Sequence, residues 1–408
     1  MTTQPVQIPD IDLLDDSFHL DGPPHELFEQ LRTSTPVQQV LAGEQRYWCL
    51  TRDAEISAVS KEPATYSSYR AGIYLKPDQV APLELLRNGL IFMDPPDHSK
   101  YRRILSSVFT PNAVKRMEGV VRARVGRTID QIIEAGRCDF VTDVAVPIPL
   151  GVLAELMGIP DEDIPRLLAW TDGIERAQQS PEPCGGVHVY GEMVEYLHGR
   201  IQRLRELGDD NLVQQMYDAQ VDGESLTEDQ VLAFFALLVF AGNDTTRNTA
   251  ATGMLALLRH PDQWALLCAR PERIPNAVEE ILRWTSVVKY FARTATTDVE
   301  LAGQRIAEGD KVVMWFGSAS RDDSLNADPE RFDVTRDDPR HRAFGAGGPH
   351  FCLGHALARL ELRVIFEELA RRMPDLRLDG EPTYLRSSWV HGLTSMPVRF
   401  TPAGQSST

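Results

Sequence analysis

The sequence predicts a mainly helical protein with a small β-rich region, and three observations support this fold class. Between residues 353 and 368, apolar side chains recur at steps of four and three, the spacing of an amphipathic helix. The stretch 231–240 is apolar all round and its pattern runs on to residue 259, as in a helix buried on every side. Strand-like runs are few and short, as at 47–51 and 290–295.

The remaining elements follow from local signals along the chain. A helix is predicted for 23–40 behind a Pro-Pro pair, then the strand 47–51 and a helix capped by Asp53. Apolar periodicity predicts further helices at 120–136, 149–157, 167–177, 190–207 and 227–259, the last opened by the capping box Thr-Glu-Asp-Gln. They are followed by a helix started by Pro275, the strand 290–295, the helix from 353 and a strand at 397–401.

Composition excludes several classes of protein. Of 408 residues, 42% are hydrophobic and 25% are charged, which is typical of a globular protein with a core large enough to enclose a cofactor. The formal net charge of −17 argues against general nucleic-acid binding, because affinity for phosphate backbones needs clustered cations. We see neither a signal sequence nor an apolar run of about 18 residues, so a cytoplasmic protein without a membrane anchor is expected. Five scattered cysteines favour reduced thiols over disulfides.

A glycine-rich loop delivers one cysteine, Cys352, to the start of the helix that begins near 353. Four glycines surround it, at positions 345, 347, 348 and 354. So many missing side chains indicate a backbone that approaches a bulky flat object. Unpaired backbone N–H groups and the helix dipole at that point favour the thiolate, which is the form that binds metal. Cys352 is therefore a candidate metal ligand.

Three other interpretations of this loop stay open on the residues alone. Cys352 could be a free cysteine packed as a small hydrophobe. The pair Gly345-x-Gly347 begins a dinucleotide fingerprint, but His350 replaces the third glycine and no lysine follows as in a P-loop. A zinc site would need further cysteines or histidines at close spacing.

A polar segment, Ala241-Gly242-Asn243-Asp244-Thr245-Thr246, interrupts the apolar helix 227–259. Glycine weakens a helix and polar groups are costly to bury, so the segment needs an explanation. It could be a polar kink whose groups find partners inside the protein. Alternatively, Ala241 and Gly242 leave room for a ligand, and a carboxylate beside a hydroxyl can relay protons.

Two charged pairs lie at helical spacing. His98 and Arg102 are four residues apart, so they project from one face of a helix, and Glu280 and Arg283 are three apart. Taken alone, the first pair is typical of a solvated surface, and the second occurs by chance in most helical proteins.

The cysteine loop resembles the haem-binding loop of the cytochrome P450 family, in which one cysteine thiolate is the proximal iron ligand. The matching residues are Phe344, Gly345, Gly348, His350, Cys352 and Gly354, with Phe344 one residue further from the cysteine than usual. The resemblance runs in family order from about residue 23 to 401. Because such distant motifs must be assembled by one fold, a single domain, 1–408, is expected, with 1–10 and 402–408 as flexible tails.

The resemblance implies haem b as cofactor, with Cys352 as the ligand of its iron. It implies that His98, Arg102 and Arg293 bind the haem propionates, and that His350, Phe344, Gly348 and Ala241 also contact the cofactor. Asp244 and Thr245 match the family's acid-alcohol pair, to which proton delivery is assigned. Glu280, Arg283 and Arg331 resemble a structural network that supports the loop of Cys352.

The implied activity is that of a monooxygenase, which inserts one atom of O2 into an apolar small molecule, most simply by hydroxylation. A terpenoid, a steroid or a fatty-acid-like molecule is expected as substrate. The candidate pocket residues are Phe92, Phe235, Gly242, Val288, Phe291, Trp389, Val390 and Leu393.

Electrons are expected from a ferredoxin or similar donor protein, because the chain has no convincing flavin or nicotinamide motif. Its docking face would be the basic region that contains Arg102, Arg103, Lys115, Arg116, Arg122 and Arg124. The alternative functions are a peroxide-using haem-thiolate enzyme, a haem sensor, and a magnesium-dependent terpene cyclase, which Asp322 to Asn326 faintly resembles.

Overall fold

The computed structural model describes residues 13–403 except 14, 21, 43–44, 76–80, 107–108, 180–183, 209–211 and 222. The expected tail 1–10 lies outside the described residues, as does the expected C-terminal tail beyond residue 403. Within the described part of the chain, the predicted mainly helical fold with a small β region is confirmed. None of the described helices has both the length and the apolarity needed to cross a lipid bilayer.

The helices carry most of the structure. In chain order they are α1 (His25–Ser34), α2 (Asp53–Lys61), α3 (Leu83–Leu86), α4 (Asp97–Ser106), α5 (Pro111–Arg116), α6 (Glu118–Ile132), α7 (Pro147–Leu156), α8 (Ile164–Gln179), α9 (Val187–Leu207), α10 (Leu212–Asp218), α11 (Glu228–Arg259), α12 (Pro261–Ala269), α13 (Ile274–Thr285), α14 (Phe316–Ala319) and α15 (His355–Arg372). The predicted helix 23–40 is wrong in its second half. Pro36 disfavours helical backbone at Thr35, so α1 ends at Ser34 and a strand follows.

The strands are short. They are β1 (Val37–Ala42), β2 (Gln45–Leu50), β3 (Tyr66–Ser67), β4 (Arg137–Asp139), β5 (Gln220–Val221), β6 (Glu224–Ser225), β7 (Tyr290–Ala295), β8 (Val299–Leu301), β9 (Gln304–Ile306), β10 (Lys311–Trp315), β11 (Arg377–Leu378), β12 (Thr383–Tyr384), β13 (Leu393–Ser395) and β14 (Pro397–Arg399). The largest sheet has the order β1-β2-β10-β7-β3, with β10 parallel to β2 and the other pairs antiparallel. Side chains alternate along β7, so Phe291 and Arg293 share one face.

The helix α11 organises the core. It spans 32 residues, and its first turn is closed by the predicted capping box, in which Thr227 and Gln230 bond each other's backbone N–H. It packs against α7, α9, α13 and α15. The polar segment at Asp244 does not break it, because the helix is continuous from Glu228 to Arg259. The loop of Cys352 lies across a cavity from this helix.

Candidate active site

Two chambers adjoin α11. The lower chamber, about 250 Å³, is bounded by the loop 343–354 and α15 on one side and by α11 on the other. The upper chamber, about 110 Å³, is bounded by α11, α8, α9 and the segment 86–92. The residues that line both chambers are Ile91, Leu237, Ala241, Thr245, Val288 and Phe291. A molecule in the upper chamber therefore lies directly beside the contents of the lower one.

The loop before Cys352 owes its shape to glycine. Gly345, Gly347 and Gly348 have φ angles of 92°, 91° and 75°, in the left-handed region that other residues rarely adopt. A Cβ atom at Gly348 would lie 2.0 Å from the carbonyl oxygen of Ser60 in α2. Gly348, which was predicted to contact the cofactor, is absent from the described chamber lining and packs against α2.

Gly354, unlike Gly348, faces open space. A Cβ atom placed there would meet no protein atom within 4 Å, and the residue lines the lower chamber. Missing side chains at such a position let a flat ligand approach the backbone.

Cys352 lines the lower chamber, and its backbone N–H donates to the carbonyl oxygen of Phe344 at 2.9 Å. The helix α15 begins at His355, three residues later than the cysteine rather than at it. The N–H groups of Gly354 and His355 lower the pKa of the thiol, as predicted, but burial raises that pKa more strongly. A bound metal cation would reverse this balance, because coordination deprotonates a thiol.

Phe344 also lines the lower chamber, despite its unusual distance from the cysteine in sequence. The guanidinium of Arg359 lies 4.6 Å from the centre of its ring, and the rings of Phe351 and His355 approach it edge-on. The extra residue of the loop therefore leaves this aromatic ring beside Cys352.

Four nitrogen-bearing side chains gather in the lower chamber: His98, Arg102, Arg293 and His350. The two imidazole rings are 4.2 Å apart, and Nδ1 of His98 is buried without a partner among the described residues. Burial, with Arg102 and Arg293 nearby, lowers the pKa of His98 to about 4, so its ring is a neutral donor at pH 7.

The two arginines form no ion pair with any described residue. Arg102 donates to the backbone carbonyl of Phe351, and Arg293 to that of its neighbour Ala292. Burial lowers the pKa of Arg293 to about 10, which leaves it charged at pH 7. Arg293 is buried and Arg102 is partly buried. Cations in such settings are costly without carboxylate partners, so this chamber suits an anionic ligand.

These features fit haem b. The chamber offers one thiol for iron, a glycine where a flat ring approaches, and buried donors for two propionate groups. The faint magnesium motif has another explanation, because the carboxylate of Asp322 accepts the backbone N–H groups of Asp53 and Ser324. That segment is a structural turn.

The polar segment of α11 faces both chambers. Asp244 lines the upper chamber and is buried, and one oxygen, Oδ1, accepts from Arg247 at 2.9 Å and from Asn248 at 3.1 Å. Its other oxygen, Oδ2, has no partner among the described residues. Burial raises the pKa of Asp244, so the group can hold a proton. Thr245 lies beside it, with its hydroxyl donating to the carbonyl of Ala241 at 2.9 Å.

The predicted arginine network is right in two members and wrong in the third. Glu280 and Arg283 are fully buried and form a bidentate pair, with Nε–Oε2 and Nη2–Oε1 distances of 2.6 and 2.9 Å. The side chain of Arg331 is 68% exposed and pairs with Asp333 instead. The second arginine is Arg336, whose Nε lies 3.3 Å from Oε1 of Glu280. Arg331 contributes its backbone carbonyl, which accepts from Arg283 at 3.0 Å.

Of the predicted pocket residues, Phe92, Val288, Phe291 and Trp389 line the upper chamber. Gly242 lines the lower chamber alone, where a Cβ atom would meet Leu153 at 3.4 Å. Three of the predicted residues line neither chamber.

These three residues, Phe235, Val390 and Leu393, are buried in the core away from both chambers. Ala233, Ala236 and Leu237 line the upper chamber, whereas Phe235 is fully buried on a different face of α11. Val390 forms a bridge with Val288, one residue after the inward Trp389, and Leu393 pairs with Tyr384 between β13 and β12.

Sequence reasoning missed most of the upper chamber. The missed residues are Tyr74, Leu86, Gly89, Ile91, Ile174, Tyr190, Met193, Ala233, Ala236, Leu237 and Phe240. Helical spacing back from Ala241 could have found the four on α11. An aromatic roof forms where Trp389 stacks on Phe240 at 5.4 Å and Tyr74 meets it edge-on at the same distance.

Comparison with known proteins identifies the class. The family model for cytochrome P450 matches residues 274–373. A methyl-branched lipid omega-hydroxylase of Mycobacterium tuberculosis is 39% identical, over 86% of this chain and 83% of the relative. A steroid C26-monooxygenase of Mycolicibacterium smegmatis is 35% identical, over 98% of this chain and 95% of the relative. A cytochrome P450 structure from Mycobacterium marinum, in complex with pseudoionone, is 35% identical with a TM-score of 0.87, over 98% of this chain and 100% of that one.

The chain belongs to the cytochrome P450 family. It is a haem b enzyme that uses O2 and externally supplied electrons to hydroxylate apolar small molecules.

Proposed function

We propose that Cys352 ligates the haem iron, and that His98, Arg102, Arg293 and His350 hold the propionates. The observation that carries this assignment is the lower chamber itself, which places the thiol and the four donors around one cavity. Bound there, haem supplies the oxygen-activating chemistry. The protein's part is to bind and orient the cofactor, to shape the apolar chamber beside it, and to deliver protons.

We propose that Asp244 and Thr245 deliver these protons. Asp244 is buried, has an oxygen without a partner among the described residues, and has a pKa that burial raises, so it can accept a proton more readily than an exposed aspartate. Thr245 follows Asp244 on α11 and lines both chambers. Its hydroxyl can turn from the carbonyl of Ala241 to pass a proton into the space between the chambers.

Replacing Thr245 by alanine is expected to lower product formation about tenfold or more and to divert electrons to hydrogen peroxide, because proton delivery is impaired. Product and peroxide would be measured together, with a surrogate ferredoxin system. Thr252→Ala is the matched control, since Thr252 lies on the same helix, donates to the carbonyl of Asn248, and lines neither chamber. Unchanged turnover in Thr245→Ala would instead favour the peroxide-using alternative.

We propose that the substrate is an apolar molecule with a methyl-branched chain, hydroxylated at the end of that chain. Two relatives support this by name: one acts at the omega position of methyl-branched lipids, and the other at C26 of steroids. The upper chamber is lined almost entirely by apolar and aromatic side chains, which suits such a molecule. Its shared wall with the lower chamber would present the chain end to the cofactor.

The substrate assignment is tested by titrating the purified enzyme with a methyl-branched fatty acid, a steroid with an intact side chain, and a linear fatty acid. Displacement of water from the haem shifts the Soret band, and product analysis locates the new hydroxyl group. Oxidation at the branched chain end is expected. Hydroxylation of the steroid rings, or turnover of the linear acid alone, would contradict the proposal.

We propose a ferredoxin as electron donor, docking near the loop of Cys352. Three cations of the predicted docking face have other contacts or lie inside the protein. Arg102 lies in the lower chamber, Arg122 pairs with Glu118 and Glu367, and Arg124 pairs with Asp161. The remaining cations, Arg103, Lys115 and Arg116, are exposed and form no ion pair with described residues. The helix α5, which carries two of them, packs against α15.

Reversing two of these charges, Lys115→Glu with Arg116→Glu, is expected to slow ferredoxin-driven reduction about tenfold at low salt, since complementary charge steers association. Stopped-flow reduction at several salt concentrations measures it, and the difference should shrink as salt rises. Arg203→Glu with Arg205→Glu on α9 is the control with equal charge change. Equal losses in both variants would place docking elsewhere.

We also propose that the chain forms one domain and works in the cytoplasm. All five cysteines are free thiols in the structure, as expected in a reducing compartment.

A further inference from the structure

A second acidic side chain, Glu175, is buried next to the polar segment of α11. It lies on α8 and is 7% exposed. Its Oε2 accepts from Nη2 of Arg247 at 3.2 Å, the same guanidinium that binds Asp244. Asp172, one turn earlier on α8, accepts from Nη1 at 3.0 Å. The cluster thus joins α8 to the residue proposed to deliver protons.

The charges of this cluster do not balance. Three carboxyl groups surround one buried guanidinium, and the exposed Arg176, on the same helix, also acts on Glu175. Two carboxyl oxygens, Oε1 of Glu175 and Oδ2 of Asp244, are buried without a partner among the described residues. Carboxylates crowded together in a poorly solvated site cannot all ionise, so the cluster retains a proton.

Glu175 is the better holder of that proton. Asp244 makes two further bonds that favour its ionised form, from Nε of Arg247 and from Nδ2 of Asn248. Asp172 has a side chain that is 36% exposed, so water solvates its charge. Burial and the neighbouring Asp244 raise the pKa of Glu175 from its ordinary 4.5 to about 8.

We propose that Glu175 stores a proton at neutral pH and supplies it to Asp244, so that the proton path to the active site runs through α8. This inference rests on the proposed role of Asp244 and Thr245. The proton that leaves Glu175 goes to Asp244, solvent replaces it at Glu175 beside the half-exposed Asp172, and no electrons move. Because it acts through Asp244, Glu175 is a positioning residue for the relay rather than a catalytic one.

The same helix touches the substrate site. Ile174, the neighbour of Glu175, lines the upper chamber. A substrate that packs against Ile174 therefore also fixes the place of the carboxyl group next to it. Proton supply would then be best when a well-fitting substrate holds α8 against α11.

The first test asks whether Glu175 holds a proton, and it does not depend on turnover. Infrared spectra of the holoenzyme at about pH 7 should show a protonated-carboxyl band that disappears in Glu175→Gln and persists in Asp172→Asn. Thermal stability gives a second readout. A raised pKa stabilises the fold fully below about 4.5, and this stabilisation is lost as the pH rises through about 8. The melting temperature of Glu175→Gln should therefore fall less than that of the wild type between about pH 6 and about pH 9.

The second test asks whether this proton feeds the relay. Wild-type coupling of electron use to product should decline as the pH rises through about 8. In Glu175→Gln the coupling should be about tenfold lower at pH 7 and should show no such decline. Glu175→Asp should restore both the coupling at pH 7 and its decline at higher pH. Asp172→Asn, which also loses a carboxylate beside Arg247, is the matched control and should retain the decline, displaced to lower pH because the charge of Asp172 helps to raise the pKa of Glu175.

The outcomes separate the claims. An unchanged infrared band and an unchanged stability profile in Glu175→Gln would overturn the stored proton. Loss of the band with wild-type coupling at every pH would overturn its supply to Asp244. Failure of Thr245→Ala to affect turnover would overturn the relay itself, whatever the infrared spectra show.

Discussion

Serine in place of Cys352 is expected to abolish hydroxylation and to remove the red-shifted Soret band of the reduced carbon-monoxide complex. An alcohol does not ionise at neutral pH and cannot donate electron density to iron as a thiolate does. The loop itself should persist, because the backbone bond from residue 352 to Phe344 and the glycine conformations do not involve the sulfur. Spectra and turnover of the purified variant measure the effect.

A matched control is Cys268→Ser. Cys268 is a half-buried free thiol on α12 that lines neither chamber. Its replacement should leave the spectrum and the activity near those of the wild type. A normal Soret shift in Cys352→Ser, or its loss in Cys268→Ser, would show that the iron ligand has been misassigned.

Removing the carboxylate of Glu280 is expected to destabilise the fold by about 3–5 kcal/mol, one of the largest effects of a single substitution in this protein. In Glu280→Ala the guanidinium of Arg283 stays buried but loses both charged bonds. The backbone N–H of Asp333 also loses its acceptor, which lies at 2.8 Å. Denaturant unfolding and haem retention during mild heating measure the loss.

Arg331→Ala is the informative control for this network. Its side chain is 68% exposed, so the change in unfolding free energy should stay within about 0.5 kcal/mol. Arg336→Ala should be costly, because its guanidinium contacts Glu280. If Arg331→Ala proved as damaging as Arg336→Ala, the pairing described above would be incorrect.

This network shows where sequence reasoning ends. Glu280 and Arg283 lie on one regular helix, and their contact follows from a spacing of three. Arg331 and Arg336 lie in an irregular segment, where no period tells which side chain turns inward. Asp328, three residues before Arg331, has a φ of 47°, and the turn there presents the carbonyl of Arg331 to the core instead of its side chain.

The same contrast holds for the chambers. The loop of Cys352 and the polar segment of α11 were found because glycines around a cysteine, and polar groups in an apolar helix, conflict with ordinary packing. The wall at 86–92 gives no such signal, because apolar residues in irregular structure look alike whether they face a core or a cavity. Glu175 was missed because an acidic residue on a helix is normally exposed, and its burial depends on Arg247, 72 residues later.

The aromatic roof constrains how new specificities can arise. Trp389 stacks on Phe240 and is met edge-on by Tyr74, so three segments distant in the chain share one packed contact. The effects of substitutions at touching residues are not additive. A smaller residue at position 389 alone leaves Phe240 without its stacking partner, whereas paired changes can re-establish the contact in a different shape. The effects of substitutions at Trp389, Phe240 and Tyr74 on the shape of the upper chamber are therefore expected to be coupled.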